Sequence, residues 1–548
     1  IMQVLEKNSE EKSKKSIKKQ LKTRPNILII MPDEMRGDII NNPHLNIPNI
    51  ESIASDEGTM FTNAFSVNPV CGPSRCCNFT GQFVHNGGHR SLYQLLRPHE
   101  ENLFHILKKH GYEVVCIGKN DLFNKKSAKK SSNKRIKLIS SLVLKILFNL
   151  SFKEKIKILV EVFKVFILRN VNFEDSKIKD IITHYFKMNP YPIGHRLKKS
   201  FYFGKRTKQQ ASLDPDHFIT KKALKYLSKQ KPSKRKQFCL FLCYNFPHPP
   251  YTVEEPYFSM YDRKKLPELI PSKFDDKPQF MRILNNRYNL NKLTKEDFRE
   301  IRATYYGMVT SLDHQVGLVL NKLKGMGIYD DTAIFFISDH GDYAGDYGLT
   351  EKWVTDMRDC LLRVPLLIKL PNSNSEMKNG SNLNIADNLV QSIDIFSTIL
   401  NIADIQTDYT HFSKDLLPLM SGKVKKLREA VFAEGGYDER EPQCFENKIK
   451  SPKMPFMGIY YDKTNLQHEI PSMVARTVMI RTKEWKLILR NTEKNQNELY
   501  HLTEDPEELV NLYNNPDYSA KRRELKDGLL AWYLKTSDNP HWEHERLV

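Results

Sequence analysis

Four segments of the chain are predominantly apolar and end on charged or polar residues. Ile27-Leu28-Ile29-Ile30-Met31 stops at Pro32-Asp33-Glu34, and Tyr112 to Ile117 stops at Gly118-Lys119. Phe238 to Tyr244 stops at Asn245-Phe246-Pro247-His248, and Thr332 to Ile337 stops at Ser338-Asp339-His340. Near-continuous hydrophobicity predicts strands buried on both faces, as in a parallel sheet. Helical patterns over Phe104–His110, Phe218–Leu227 and Arg302–Lys324 lie between them, which predicts an α/β fold with a mainly parallel sheet sandwiched by helices. Ligands bind beyond the carboxyl ends of such strands, so the four strand ends are expected to converge on one site.

Two regions break the alternation. Lys125 to Phe186 is basic and amphipathic without a strand signal, and reads as a helical insertion on the rim of the sheet. After about Lys423, shorter runs such as Val478–Arg481 and Trp485–Leu489 precede a helical stretch near Lys521–Lys535, which predicts a smaller C-terminal α+β subdomain with an antiparallel sheet. The expected organisation is a basic disordered arm at 1–23, a catalytic domain at 24–423 carrying the insertion at 125–186, and a C-terminal subdomain at 424–548.

Composition narrows the class little. Of 548 residues 40% are hydrophobic, with 23 Gly and 28 Pro, so the chain is globular in type and neither collagen-like nor low-complexity. A formal net charge of +20 is compatible with nucleic acid, an anionic surface or anionic substrates. Much of the excess sits in the arm and the insertion rather than on one face. The eight cysteines, at 71, 76, 77, 116, 239, 243, 360 and 444, have no disulfide-ladder spacing. Cys239 and Cys243 lie in an apolar run, where Cys acts as a small hydrophobe. The Lys-rich start lacks the apolar stretch of a secretion signal, so a cytoplasmic location is the expectation. Lysines interrupt Ile136 to Val171, and no segment reads as transmembrane.

Cys71-Gly72-Pro73-Ser74-Arg75 with Thr80-Gly81 carries the most chemical information. Pro73 suits a first helical turn, which puts Cys71 at a helix N-terminus, where free N–H groups favour an anion. An ordinary loop cysteine ahead of a helix is the bland alternative. Cys-x-Pro-Ser-Arg followed by Thr-Gly resembles the sulfatase signature of the alkaline-phosphatase-like superfamily. Asp33-Glu34, Gly118-Lys119, Pro247-His248-Pro249-Pro250, Ser338-Asp339-His340-Gly341-Asp342 and Lys352 follow in the family's order. So do Arg481-Thr482, Trp485-Lys486, Glu498-Leu499-Tyr500 and Asp505-Pro506 near the end.

The resemblance implies a sulfuric ester hydrolase whose Cys71 is oxidised to formylglycine by a maturation enzyme. It implies a metal site of Asp33, Glu34, Asp339, His340 and an oxygen of residue 71, holding one divalent cation, Ca²⁺ first, with Mg²⁺ or Mn²⁺ as alternatives. Arg75 would hold the nucleophile, Lys119 and Lys352 would clamp sulfate oxygens, and His248 would protonate the leaving alcohol. The implied substrate is a sulfated small molecule or glycan, with no nucleic-acid partner. Two positions depart from the family: Glu34 stands where Asp, Asn or Gln is usual, and Gly118-Lys119-Asn120-Asp121 replaces the frequent Gly-Lys-x-His. A phosphonate monoester hydrolase or phosphodiesterase of the same superfamily is the alternative; Lys119 favours sulfate. His85, His89 and Arg90 are read as lining the substrate pocket or, equally, as holding the loop.

Overall fold

The computed structural model describes residues 24–55, 58–137, 190–192, 194–230, 236–372, 385–450, 458–492 and 496–537. The arm at 1–23 and the part of the insertion from 138 to 186, including Lys153, Lys155, Lys157 and Lys164, lie outside the described residues.

The central sheet contains nine strands among the described residues. In chain order they are β1 (Asn26–Asp33), β2 (Gly58–Phe65), β3 (Glu113–Gly118), β4 (Lys134–Lys137), β5 (Phe238–Pro247), β6 (Thr332–Ile337), β7 (Arg363–Lys369), β8 (Ile385–Ala386) and β9 (Val390–Gln391). Their spatial order is β8-β2-β7-β6-β1-β5-β3-β4, with β9 also paired to β2. Only β7 runs antiparallel to its neighbours β2 and β6; the other pairings in this sheet are parallel.

The apolar runs pack as the pattern dictates. Side chains alternate across a strand, so Leu28, Ile30, Leu240, Leu242, Ile334 and Phe336 share one core while Ile27, Ile29, Cys239, Phe241, Ala333 and Phe335 share the other. The first core is covered by α1 (Pro48–Ser55), by Pro215–Leu227 and by Lys295–Gly325. The second is covered by Cys71–Thr80, Leu103–Lys109 and Ile395–Ile402. In chain order these helices are α2 (Cys71–Thr80), α3 (Leu103–Lys109), α4 (Pro215–Leu227), α5 (Lys295–Gly325) and α6 (Ile395–Ile402). Each starts with local chemistry where the sequence offers it. Asn102 accepts from the His105 N–H ahead of α3, Asp214 caps α4 with Pro215 at its first position, and Thr294 and Asp297 form a reciprocal cap on α5.

A second sheet of four antiparallel strands, β10 (Val431–Gly435), β11 (Thr477–Arg481), β12 (Trp485–Arg490) and β13 (Glu498–His501), follows toward the C-terminus. Helices α7 (Tyr461–Glu469) and α8 (Ser519–Thr536) belong to the same part of the chain. Buried ion pairs weld it to the first unit: Arg358 bonds Asp356 and Glu498, and Lys486 bonds Asp359 and Glu508. The indole of Trp353 donates to the Met473 carbonyl at 2.9 Å.

One expectation is corrected. The stretch after Lys125 is not helical throughout its described part: a short helix at Lys125–Ser131 is followed by β4, which extends the sheet beside β3. Lys-Arg-Ile-Lys hides this strand from a hydrophobicity reading, because an edge strand tolerates charge on its solvated face. No helix among the described residues is long and apolar enough to cross a membrane.

Candidate active site

The carboxyl ends of β1, β3, β5 and β6 meet the N-terminus of α2. Pairing of β1 with β5 shifts register between Met31 and Asp33, and Glu34 then takes a left-handed conformation with φ of 70°. The turn is pinned by the Glu34 N–H donating to Asp339 at 3.1 Å and the Met35 N–H donating to Ser338 at 2.9 Å. Adjacent carboxyl groups consequently diverge, Asp33 toward α2 and Glu34 toward Lys352.

Cys71 is the first residue of α2 and 2% exposed. One turn on, the fully buried Arg75 guanidinium bonds Asp33 at 2.6 Å and Asp339 at 2.7 Å. Ser74 donates to the Asp339 carbonyl at 2.6 Å and fixes the helix on β6. At the end of β3, Gly118 has φ of 120°, and a Cβ there would lie 2.0 Å from the Cys243 carbonyl oxygen. Only glycine lets β3 approach β5 this closely. Lys119 follows, its ammonium 2.5 Å from Asp33 and 3.1 Å from Asp121.

Asp33, Cys71, Asp339 and His340 place one ligand atom each within 4.8 Å of one another. The Nδ1 of His340 lies 2.9 Å from the Gly341 carbonyl, which requires the ring proton there and leaves Nε2 as a bare acceptor. Burial pushes His340 down to about 4, so its ring is neutral. Burial opposes ionisation of Asp33, but Lys119 and Arg75 outweigh it and hold this carboxyl well below its usual range. Asp33 Oδ1 and His340 Nε2 are buried without a hydrogen-bond partner. Orphaned acceptors around one point are what a cation site needs. This donor set therefore fits a divalent metal.

Glu34 stands in a second group of potential ligands beside the first, with Asp33 and His248, and its Oε1 is likewise a buried acceptor without a hydrogen-bond partner. Its Oε2 lies 2.7 Å from Lys352 and 3.5 Å from His248. Burial raises Glu34 well above the usual carboxylate range against the pull of Lys352, and raises Asp342 to about 6. Lys352 reaches 3.3 Å from His248 Nε2, while His248 Nδ1 faces the Pro249 carbonyl at 2.7 Å. Thus Cys71, Arg75, Lys119, His248 and Lys352 surround one point with the acids of β1 and β6. The thiol itself is a poor nucleophile here: burial, and then Asp33, push Cys71 well above its ordinary range.

Of the two readings of His85, His89 and Arg90, pocket lining or holding the loop, the contacts agree with the second. His85 bonds Glu434 and Thr536, joining the loop after α2 to β10 and α8. His89 faces Glu100 at 3.2 Å, and Arg90 pairs with Glu441. Conversely, sequence reading missed Asp216, Glu351 and Lys463. Asp216, on α4, accepts from the N–H groups of Asn245 and Phe246 at 2.7 and 2.8 Å and so holds the loop that carries His248. A lone Asp two residues into a helix gives no sign of this.

A mainly parallel α/β sheet, a cysteine opening a helix at its carboxyl edge, and flanking carboxylates, lysines and histidines define a hydrolase of the alkaline-phosphatase-like superfamily. The family model described as Sulfatase matches residues 25–405, and that of the N-sulphoglucosamine sulphohydrolase C-terminal region matches 445–534. The chain belongs to the sulfatase family. It is 25% identical to the multifunctional alkaline phosphatase superfamily protein PehA of Trinickia caryophylli, covering 94% of this chain and 96% of that one. It is 24% identical to an arylsulfatase of Clostridium perfringens, covering 91% and 92%. The fold is similar to a phosphonate monoester hydrolase from Silicibacter pomeroyi, with TM-score 0.69, 20% identity and coverage of 94% and 96%.

Proposed function

We propose that this sulfatase cleaves sulfate monoesters of small molecules or glycans, with residue 71 acting as formylglycine and one divalent cation, Ca²⁺ first, in the site. The observation that carries the reading is the single point shared by Cys71, the orphaned acceptors of Asp33 and His340, and the ammonium groups of Lys119 and Lys352. An inert thiol among these groups makes sense as a precursor that a maturation enzyme converts. Formylglycine, when formed and hydrated, supplies a geminal diol whose one hydroxyl attacks sulfur and whose other expels sulfate. A cation held by Asp33, Asp339, His340 and an oxygen of residue 71 supplies Lewis-acid charge to that group.

The remaining work falls to the chain's own side chains. Arg75 bonds Asp33 and Asp339 and aims both carboxylates. Lys119 and Lys352 stand on either side and neutralise charge on the equatorial oxygens, an electrostatic contribution of about 2.7–4 kcal/mol for one well-placed donor. His248, fixed through Nδ1, has Nε2 on the side of Lys352 and is the residue that would pass a proton to the leaving oxygen. Glu34 holds the Lys352 ammonium and, with Asp33, stands close enough to join the cation's ligands.

A phosphonate or phosphate diester is the second reading, favoured by the similarity to PehA and to the phosphonate hydrolase fold. Steady-state turnover of 4-nitrophenyl sulfate against 4-nitrophenyl phenylphosphonate, on protein made together with a maturation enzyme, decides between them. A higher kcat/KM for the phosphonate would displace the sulfate reading.

A further inference from the structure

Lys352 stands between two carboxylates, Glu34 at 2.7 Å and Glu351 at 2.9 Å, and neither is more than 1% exposed. Glu351 alone would set a negative charge beside the ammonium that an anionic ester has to meet. A second cation arrives from the C-terminal part of the chain. Lys463, on α7, donates to both oxygens of Glu351 at 2.7 Å each and is itself 8% exposed. Glu351 is held independently of these contacts. Its N–H donates to the Tyr251 hydroxyl at 2.8 Å, its carbonyl accepts from the Tyr343 N–H at 3.0 Å, and its φ of 64° is a left-handed conformation that a non-glycine residue adopts only when surrounding structure imposes it. Its Oε2 also accepts from the Lys352 N–H at 2.9 Å. The result is a buried row in which carboxyl and ammonium groups alternate, Glu34, Lys352, Glu351 and Lys463, starting at the reacting centre and ending on α7.

We propose that Glu351 and Lys463 are a positioning pair for Lys352. Glu351 fixes the direction of the Lys352 ammonium, and Lys463 cancels the charge that Glu351 would otherwise set against the substrate. Neither residue touches the ester; both act through Lys352. The assignment rests on the reading above, in which Lys352 meets an oxygen of the transferred group. It also gives α7 a task in the reaction beyond packing, since a helix from the second unit sets the charge felt at the first.

The test uses matured full-length protein, 4-nitrophenyl sulfate as substrate and free sulfate as inhibitor, with thermal melts recorded for every variant. Lys463→Met should raise KM and the sulfate inhibition constant by about tenfold, the scale expected for one uncompensated charge at an effective dielectric near 20. Lys463→Arg should recover most of that loss. Glu351→Gln should lower kcat without raising KM, because the ammonium keeps its charge and loses its aim. The double variant E351Q K463M should have a KM closer to wild type than Lys463→Met, because the two charges leave together. A lysine with only a structural role would instead lower kcat in step with melting temperature, and the double variant would bring no recovery. Should Lys463→Met fail to fold, E351Q K463M against Glu351→Gln carries the comparison: added Lys463→Met should raise KM again. Wild-type KM in Lys463→Met, alongside a crippled Lys352→Met, would overturn the positioning pair and leave the reading of the site standing. Wild-type kinetics in Lys352→Met would remove both.

Discussion

Asp121 occupies the place where many sulfatases carry histidine, and its charge makes a quantitative prediction. Its carboxylate lies 3.1 Å from the Lys119 ammonium and 3.9 Å from the Arg75 guanidinium. At an effective dielectric of about 20 those contacts correspond to Coulomb energies of about 5 and about 4 kcal/mol. Burial opposes ionisation of Asp121, but Lys119 and Arg75 outweigh it, so the carboxylate is charged near neutral pH. An anion bound on the far side of Lys119, about 7 Å from Asp121, therefore meets about 2 kcal/mol of repulsion before screening. Asp121 and Lys119 are each 22% exposed, and solvent screening reduces the figure to about 1.4 kcal/mol, a factor of about ten. Asp121→Asn should accordingly lower both KM for 4-nitrophenyl sulfate and the inhibition constant of free sulfate about tenfold, with kcat changed less than about threefold. The assay is steady-state kinetics at fixed ionic strength, repeated at high salt, where the gain should shrink. An unchanged or higher KM in Asp121→Asn would refute the claim that this carboxylate opposes substrate charge.

Lys119→Met should move the other way, losing about a hundredfold or more in kcat/KM through one missing oxyanion contact; steady-state kinetics on the same ester checks it. Asp339→Asn should lower both bound metal, read by elemental analysis after dialysis, and activity; full metal content would contradict the donor set. Stability should depend on pH through His89, which burial pushes down but Cys76 and Glu100 raise to about 10 from 6.5. A raised folded value means stabilisation that is complete below 6.5 and lost as pH rises through about 10, so the melting-temperature gap between wild type and His89→Gln should be widest near pH 6 and close toward pH 10. A gap that grows with pH would reverse the sign of this account.

The strand ends were legible because chemistry and hydrophobicity coincide there: Asp33, Lys119, His248 and Asp339 each terminate an apolar run. Pro73 and Thr80-Gly81 marked α2 in the same way. β7 was less legible, since Pro365 interrupts its run, and the structure shows why it is tolerated: its partner β2 shifts register between Phe61 and Ala64. β4 reads as surface charge for the reason given above. Glu34 was legible as a strand-end acid but not in its direction, which depends on a left-handed turn held from β6. Lys463 left no trace, because its contact with Glu351 spans 112 residues and its helix has no amphipathic stripe pointing to it. Long-range ion pairs are chosen by the assembled fold, and local pattern carries no information about them.

The central claim is that residue 71 works as formylglycine rather than as a thiol. Its most direct test is the mass of the peptide containing residue 71, taken from protein made with and without a maturation enzyme and compared with sulfate ester turnover of the same samples. The account predicts that specific activity rises in proportion to the fraction of Cys71 that has exchanged sulfur for oxygen and lost two hydrogens, and that Cys71→Ala is inactive while Cys76→Ala is not. Full activity in protein whose residue 71 is entirely unmodified cysteine would contradict it.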